Sequence, residues 1–481
     1  MSALERYQRE LEALESDLNR ETYRQYAGLP YDQALMEQRS REIETLVQRV
    51  LAEVPTAEFP RPLLFATIRG SRASEYTRLD NEIYKMRGEI VSVEDGSETV
   101  NLNNVRLFNR THARDPLRRR RVFDALLDRA QALTPRLAER FVLSRELFDR
   151  YGMTPLDAYL EEEGVTFAGL ADLVDSTARA AGAAFGEALA AYAGELIGHA
   201  PAYYDDFYVF SSVIYEPLDR HFAGVDFARL FEPIYEGLGF NLSKIGVDGE
   251  PREDKHASPV CFAVRVPEEV YVLYQRTSPV YDYTGYAHEM GHALHFASVQ
   301  APMPYMDRYL VPSGVAEIFS ILFETLATTP RFLSEEVDLS AEAIEELARR
   351  ERFMDLYFLT FYGANSMFKL RYWTEHPDMA AADALYANLY RTYVGLEMPG
   401  RYWQTHHVVA LYDVYAPSYL LAKVRRVELR RLLEERFTER WWRNPEAGRY
   451  LRDELMGPGR RIPLESFSRL DPRPYLSSLG L

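Results

Sequence analysis

Apolar residues recur at helical spacing along most of the chain, and this pattern predicts a mainly α-helical protein. Residues 1–54 predict two amphipathic helices that break near Gly28-Leu-Pro30, because glycine and proline interrupt a helix. Asp115-Pro116 predicts a further helix start, with the aspartate as its cap and the proline in its first turn. We expect the run that follows, Arg118–Arg121, to form a solvated helix face.

The pattern changes near residue 240, where the sequence becomes loop-like over residues 237–251. Cys261–Val266 and Val270–Gln275 are rich in β-branched and aromatic residues and are separated by Pro267-Glu-Glu, so they predict two paired strands. We therefore expect a small β-sheet next to the helix that follows. An exposed edge strand in that sheet would be suited to pair with a peptide backbone.

That next helix carries His288, Glu289 and His292 in the pattern His-Glu-x-x-His. Residues i and i+4 lie on the same face of a helix, so the two imidazoles can hold one metal ion. Glu289 lies beside them and is suited to hold a water molecule and accept its proton. A surface helix with two incidental histidines is the alternative interpretation.

A catalytic zinc ion takes three protein ligands, and Asp307, Glu317 and Glu324 are the downstream candidates. Glu317 lies in an apolar helical run, where a carboxylate is costly unless it is paired or binds metal. Glu324 shares the same helical face, so we expect it to be an outer partner that accepts the remaining N–H of a ligating histidine. Ordinary buried salt bridges are the alternative for both glutamates. We interpret His295 as a packing residue or an outer partner, and not as a ligand.

Composition narrows the class of protein. The 481 residues are 47% hydrophobic and carry a formal net charge of −17, which argues against nucleic acid or an anionic membrane as the main partner, since both need a basic surface. The length predicts two lobes or more, and we place an N-terminal helical lobe at residues 1–200 and a catalytic lobe at residues 201–481.

Cysteine content and apolar runs indicate the cellular setting. Cys261 is the only cysteine, so an intrachain disulfide is excluded and a reducing, cytoplasmic location is expected. The N-terminal residues lack the apolar core of a signal peptide. The sequence has no apolar run of about 18 residues, so we expect no membrane span.

The segments 282–295 and 314–319 resemble the thimet oligopeptidase and oligoendopeptidase F family of zinc metallopeptidases. The family motif His-Glu-x-Gly-His-x-x-His is matched at every fixed position from His288 to His295, and Glu317 stands 25 residues after His292, at the family's spacing for its third ligand. The resemblance implies a two-lobed helical zincin with a substrate channel. It also implies one zinc ion per chain, held by His288, His292 and Glu317.

Two positions depart from the family pattern. Gly285-Tyr286 stands where the family usually has Thr-Leu, and we expect a changed lining there with no loss of zinc. The family also has a tyrosine at the position of Ala416, for which Tyr415 is the nearest substitute.

The segment 406–419 resembles the family's cluster of histidine and tyrosine near the C-terminus. Its tyrosines follow a spacing that would place them on one helical face, which Pro417 would kink or end. The resemblance implies that an imidazole and two phenols stabilise the oxyanion of the reaction: His407, Tyr412 and Tyr419. His406 and Tyr415 are further candidates for substrate contacts. A stripe of core tyrosines is the alternative.

The resemblance implies a zinc metallopeptidase of the oligoendopeptidase type that hydrolyses short unstructured peptides. Zinc would activate a water molecule, and Glu289 would act as the general base. A carboxypeptidase-like exopeptidase is one alternative, and it would need a cation such as Arg401 or Arg265 to hold the substrate carboxylate. A non-catalytic, zinc-stabilised peptide-binding protein is the other.

Overall fold

The computed structural model describes residues 1–112, 114–252, 254–256, 258–464 and 470–481. It is mainly helical, as the sequence predicts. The helices of the first half are α1 Ala3–Tyr26, α2 Gln33–Glu53, α3 Arg61–Gly70, α4 Ala73–Glu89, α5 Val105–His112, α6 Pro116–Ala130, α7 Thr134–Asp149, α8 Pro155–Glu163, α9 Phe167–Leu196, α10 Asp206–Tyr208, α11 Asp219–Phe222 and α12 Phe227–Gly237.

The second half contains α13 Pro279–Ser298, α14 Tyr305–Tyr309, α15 Ser313–Ala327, α16 Pro330–Phe332, α17 Ala341–Glu375, α18 Met379–Val394, α19 His407–Ala410, α20 Ala416–Phe437, α21 Pro445–Arg449 and α22 Arg473–Ser478. The strands are β1 Ser92–Asp95, β2 Glu98–Asn101, β3 Ile245–Asp248, β4 Val260–Arg265 and β5 Glu269–Leu273. Among the described residues, no helix has both the length and the apolar character needed to cross a membrane.

Local capping explains where several helices begin. α1 and α2 are separated at the predicted Gly28-Leu-Pro30 break, and the Asp32 carboxylate caps α2 by accepting a hydrogen bond from the amide of Leu35 at 3.0 Å. α6 begins directly after Asp115, whose side chain accepts from the amide of Leu117 at 2.9 Å. The predicted break and the predicted start of α6 are both confirmed.

The chain divides into two compact units, and each unit combines three separate segments. The first unit consists of Met1–Arg78, His221–Leu339 and Arg425–Arg469, and the second of Leu79–Arg220, Ser340–Val424 and Leu470–Leu481. Both units contain residues from either side of position 200, so that position is not one of their borders. The lobe division at residues 1–200 and 201–481 stays a prediction.

A three-stranded sheet lies beside α13 in the first unit, in the order β3-β5-β4. β4 pairs antiparallel with β5, as predicted, with Cys261 opposite Val272. β3 pairs parallel with β5, although its sequence is loop-like. Its strand conformation depends on backbone hydrogen bonds to β5, and the four residues of β3 alone do not reveal that partner. The order leaves β4 at one edge of the sheet.

Two long helices, α9 and α17, pack together in the second unit. Their close approach requires Gly363, where a Cβ would lie 2.4 Å from the Cβ of Ala178. β1 and β2 form an antiparallel hairpin in the same unit.

The arginine run of α6 is more buried than the sequence suggests. The expectation of a solvated face is wrong for Arg119, which is 1% exposed and forms an ion pair with Asp205 at 2.6 Å. Arg118 and Arg121 both pair with Asp95 on β1. The opposite charges come from distant segments, so local sequence alone could not show them.

Candidate metal centre

The backbones of α13 and α15 touch at Gly291. A Cβ on Gly291 would lie 2.6 Å from the carbonyl oxygen of Phe319 and 2.6 Å from the Cα of Ser320. Only glycine permits this approach without a backbone shift. The contact brings the face of α15 that carries Glu317 against the His-Glu-x-x-His face of α13.

Three side chains converge at this helix pair. The Oε2 atom of Glu317 lies 3.4 Å from Nε2 of His288 and 3.5 Å from Nε2 of His292. Ligand atoms of all three residues lie within 4.8 Å of one another. Glu317 is 1% exposed, so its carboxylate faces the two rings and not solvent.

Glu324 orients one of the rings. Its Oε2 atom lies 2.7 Å from Nδ1 of His288. A carboxylate can only accept a hydrogen bond from Nδ1–H, so this contact directs the other ring nitrogen, Nε2, towards Glu317. This geometry corresponds to the role predicted for Glu324, that of an outer partner of a ligating histidine.

The charges of Glu317 and of the two histidine rings stabilise one another. Burial by itself would raise the pKa of the Glu317 carboxyl, but the His292 and His288 rings hold it well below its ordinary value. Burial would lower the pKa of His288, and its contacts with Glu317 and Glu324 instead raise it well above the ordinary value. The Ser320 hydroxyl also donates to Glu317 at 2.9 Å.

The donor set fits a catalytic zinc ion. Two imidazole nitrogens and one carboxylate oxygen are three ligands, and they leave a fourth tetrahedral position for water or substrate. A buried carboxylate beside two partly buried imidazoles is also costly to hold in place unless a cation or a proton lies between them. The predicted ligands His288, His292 and Glu317 are therefore brought together in a geometry that suits the metal.

Glu289 lies on the same helix and receives a hydrogen bond from β4. Its carboxylate accepts from the backbone amide of Cys261, and burial raises its pKa despite the nearby His288 and His292 rings. Burial, followed by the charge of Glu289, also raises the pKa of the Cys261 thiol well above its ordinary value. Cys261 was not among the sequence-predicted site residues. Only the position of the β4–β5 pair directly before α13 hinted at this contact.

Other residues near the motif have structural contacts. His295 is fully buried against Phe296 and Phe319, and burial, with a smaller effect of His292, lowers its pKa to about 3. It therefore packs as a neutral ring. Asp307, a candidate ligand from sequence, is ion-paired with Arg461 instead.

The sequence predicts that Gly285-Tyr286, which departs from the family pattern, changes the lining of the site. In the structure, both residues contribute to packing instead. Tyr286 is fully buried in an aromatic core with Phe227, Phe231 and Tyr274. A Cβ on Gly285 would lie 2.6 Å from Cγ of Pro259. The glycine thus allows the chain before β4 to pack against α13.

The predicted histidine and tyrosine cluster lies in the second unit. Its rings contact one another in sequence: Tyr412 and Tyr415 at 4.9 Å, Tyr415 and Tyr419 at 5.4 Å, and His406 and His407 at 5.4 Å between centroids. Tyr362 of α17, which sequence reasoning missed, contacts Tyr419 at 4.9 Å and His406 at 6.4 Å. The side chain of Tyr362 thus joins the two halves of the cluster.

The tyrosines do not share one helical face. α20 begins at Ala416, so Tyr412 and Tyr415 precede the helix and only Tyr419 lies on it. Pro417 lies in the first turn of α20, where its missing amide costs no hydrogen bond, and does not end the helix.

Comparisons with known proteins agree with this geometry. A sequence model of peptidase family M3 matches residues 225–470, just over half of the chain. The chain is similar to the crystal structure of an M32 carboxypeptidase from Deinococcus radiodurans R1, with a TM-score of 0.61 and 17% identity over 99% of this chain and 97% of that one. Among curated proteins, none matches the chain. The family match confirms the resemblance found in the sequence, and the structural likeness confirms a mainly helical, zincin-like fold.

Gly291→Ala tests the contact between α13 and α15. The new methyl group meets backbone atoms of Phe319 and Ser320, so α15 must shift and carry Glu317 away from the histidines. We expect loss of about 1–3 kcal/mol of stability together with weaker zinc binding, measured by thermal unfolding and metal titration. Gly186→Ala is the matched control, since a Cβ there meets nothing within 4 Å. Wild-type zinc affinity in Gly291→Ala would contradict the expectation.

Glu324→Ala tests the hydrogen bond to His288. Loss of the acceptor frees the ring to rotate or change tautomer, so we expect zinc affinity to fall roughly 10–100-fold, measured by competition with a chromogenic chelator. Glu335→Ala is the control, because the side chains of Glu324 and Glu335 are 32% and 30% exposed and Glu335 pairs with arginines of the same unit. Equal zinc affinity in the two variants would argue against this role.

Proposed function

The chain belongs to peptidase family M3, a family of zinc metallopeptidases, and from this premise we propose that it is an oligoendopeptidase that hydrolyses short unstructured peptides. The observation that carries the proposal is the arrangement of Glu289 beside the convergent His288, His292 and Glu317 side chains. A purely structural metal site would gain nothing from a buried carboxylate in that position.

Glu289 is the proposed general base. It would accept a proton from the attacking water and pass it to the leaving amine. Burial raises its pKa, which makes its carboxylate a stronger base than that of an exposed glutamate. Zinc held by His288, His292 and Glu317 would polarise the scissile carbonyl and lower the pKa of water.

The edge of β4 supports a route for peptide binding. The amide of Cys261 points at Glu289, so a peptide in extended conformation along this edge would lie beside the proposed base. Edge pairing requires free backbone groups on the peptide, and a folded protein does not offer them. This favours short unstructured peptides as substrates.

The second cluster supplies hydrogen-bond donors. We assign His407, Tyr412 and Tyr419 to stabilisation of the oxyanion, on the basis of their match to the family's pattern. Each such donor is worth roughly 10²–10³ in rate when it is aimed at the developing charge. His406 and Tyr415 are proposed as substrate contacts.

The alternative activity is that of a carboxypeptidase, since the M32 protein of similar fold is one. An exopeptidase needs a cation for the substrate carboxylate, and Arg265, which is exposed at the end of β4, is one candidate. Arg401 is the other. We propose the endopeptidase because the family match covers the metal motif itself.

The proposal also concerns location and partners. A net charge of −17 and a single cysteine support a cytoplasmic peptidase that acts on free peptides, without nucleic acid or membrane as partner.

Glu289→Gln tests the base. The amide keeps the shape of the side chain but accepts no proton, so we expect kcat to fall at least about a hundredfold while zinc content stays at one ion per chain. Activity on a quenched fluorescent peptide and metal analysis measure both. Glu236→Gln, an exposed substitution on α12, is the control. Full activity of Glu289→Gln with zinc bound would exclude this base, and zinc binding without turnover by the wild type would favour a peptide-binding protein.

Product mapping distinguishes the two activities. We expect a peptide blocked at both ends to be cleaved internally at the same sites as its free-ended form, because an endopeptidase does not need a terminal carboxylate. Mass spectrometry of the products with and without chelator provides the measurement. Cleavage of the free-ended peptide alone, with release of one C-terminal residue at a time, would instead identify a carboxypeptidase.

A further inference from the structure

The segment 411–415, which we call the tyrosine loop, joins α19 to α20 and carries Tyr412 and Tyr415. Its residues lie between the ends of these two helices, and Tyr412 is 48% exposed. The Tyr412 ring contacts Tyr415 of the same loop. The position of the phenol therefore depends on how the backbone of the tyrosine loop is held.

Asp413 ties this loop to two helices. Its Oδ1 atom accepts a hydrogen bond from Ser144 Oγ at 2.8 Å and lies 3.3 Å from Nη1 of Arg140, both on α7. Its backbone carbonyl accepts from Nε1 of Trp373, on α17, at 2.8 Å. The residue directly after Tyr412 is thus held by three contacts.

These contacts are shielded from water. The side chains of Arg140 and Asp413 are 9% and 10% exposed, so solvent screens the attraction between them only weakly. Arg140 is itself fixed by Asp80 at 2.7 Å. The fully buried amine of Lys369 lies 4.2 Å above the Phe141 ring and is a further group on which the charge of Asp413 acts.

We propose that Asp413 is a positioning residue, which holds the tyrosine loop so that the Tyr412 phenol is presented to a bound peptide. This inference rests on the proposed function, which assigns Tyr412 to the oxyanion. Asp413 itself touches no substrate in this scheme. It acts through the neighbouring tyrosine by limiting the conformations of the loop.

The test compares Asp413→Ala with Asp413→Asn. The alanine removes both side-chain contacts, and we expect kcat to fall roughly ten- to a hundredfold through misplacement of the phenol, with KM changed less than about threefold. The asparagine keeps an oxygen for Ser144, so it should recover part of the activity and remains informative if the alanine variant folds poorly. Asp219→Ala is the control, since Asp219 is 12% exposed and also pairs with an arginine, Arg110.

Two further measurements separate positioning from a general loss of structure. Hydrogen–deuterium exchange should accelerate in the peptide that spans the tyrosine loop of Asp413→Ala and stay unchanged in Asp219→Ala. In a cycle with Tyr412→Phe, the double variant should be nearly as active as Tyr412→Phe alone, because Asp413 acts through that hydroxyl.

Unchanged exchange of the tyrosine loop in Asp413→Ala would overturn the proposal, and so would losses of kcat that multiply in the double variant. If Tyr412→Phe alone keeps full kcat, the oxyanion role assigned to Tyr412 fails. The exchange measurement then still decides whether Asp413 holds the loop, so the two failures are distinguishable.

Discussion

The metal centre depends on the backbone contact between α13 and α15 at Gly291. Zinc ligation needs three side chains within a few ångströms, and here they come from two helices, with the short helix α14 between them in the chain. Two ordinary helices pack with their axes about 8–10 Å apart, and a side chain at the crossing would increase that distance. Gly291 lets Phe319 and Ser320 of α15 touch α13 directly, and Glu317 thereby reaches both histidines.

This close packing also determines the electrostatics of the centre. Glu317 is almost fully buried, and its charge is held by His288, His292 and Ser320 at short distances. In such surroundings, charges interact more strongly than in water, and an unpaired charge is correspondingly costly. Glu324 then fixes the ring of His288 from the outside. The attraction between these opposite charges therefore holds the side chains in place, and a divalent cation would complete the site.

The second cluster is organised in a different way. Its rings contact one another, but Tyr412 and Tyr415 lie on a loop before α20, and their placement depends on Asp413 and on the helices that hold it. A spacing that suggests one helical face was misleading here, because α20 begins only at Ala416, with Pro417 in its first turn. Tyr362 enters the cluster from α17, which no local pattern indicates.

The sequence by itself determined the elements that depend on local physics. It predicted the break between α1 and α2, the start and cap of α6, the β4–β5 pair and the helix of the metal motif, since helix breakers, caps and periodicity are local signals. It also placed Glu317 among the candidate ligands, as a carboxylate in an apolar run. Tertiary structure alone decided the pairing of β3, the burial of Arg119 by Asp205, the contact of Cys261 with Glu289 and the division into interleaved units. Each of these features depends on a partner that is distant along the chain. The spacing of residues in a sequence does not show which distant residues come together in space.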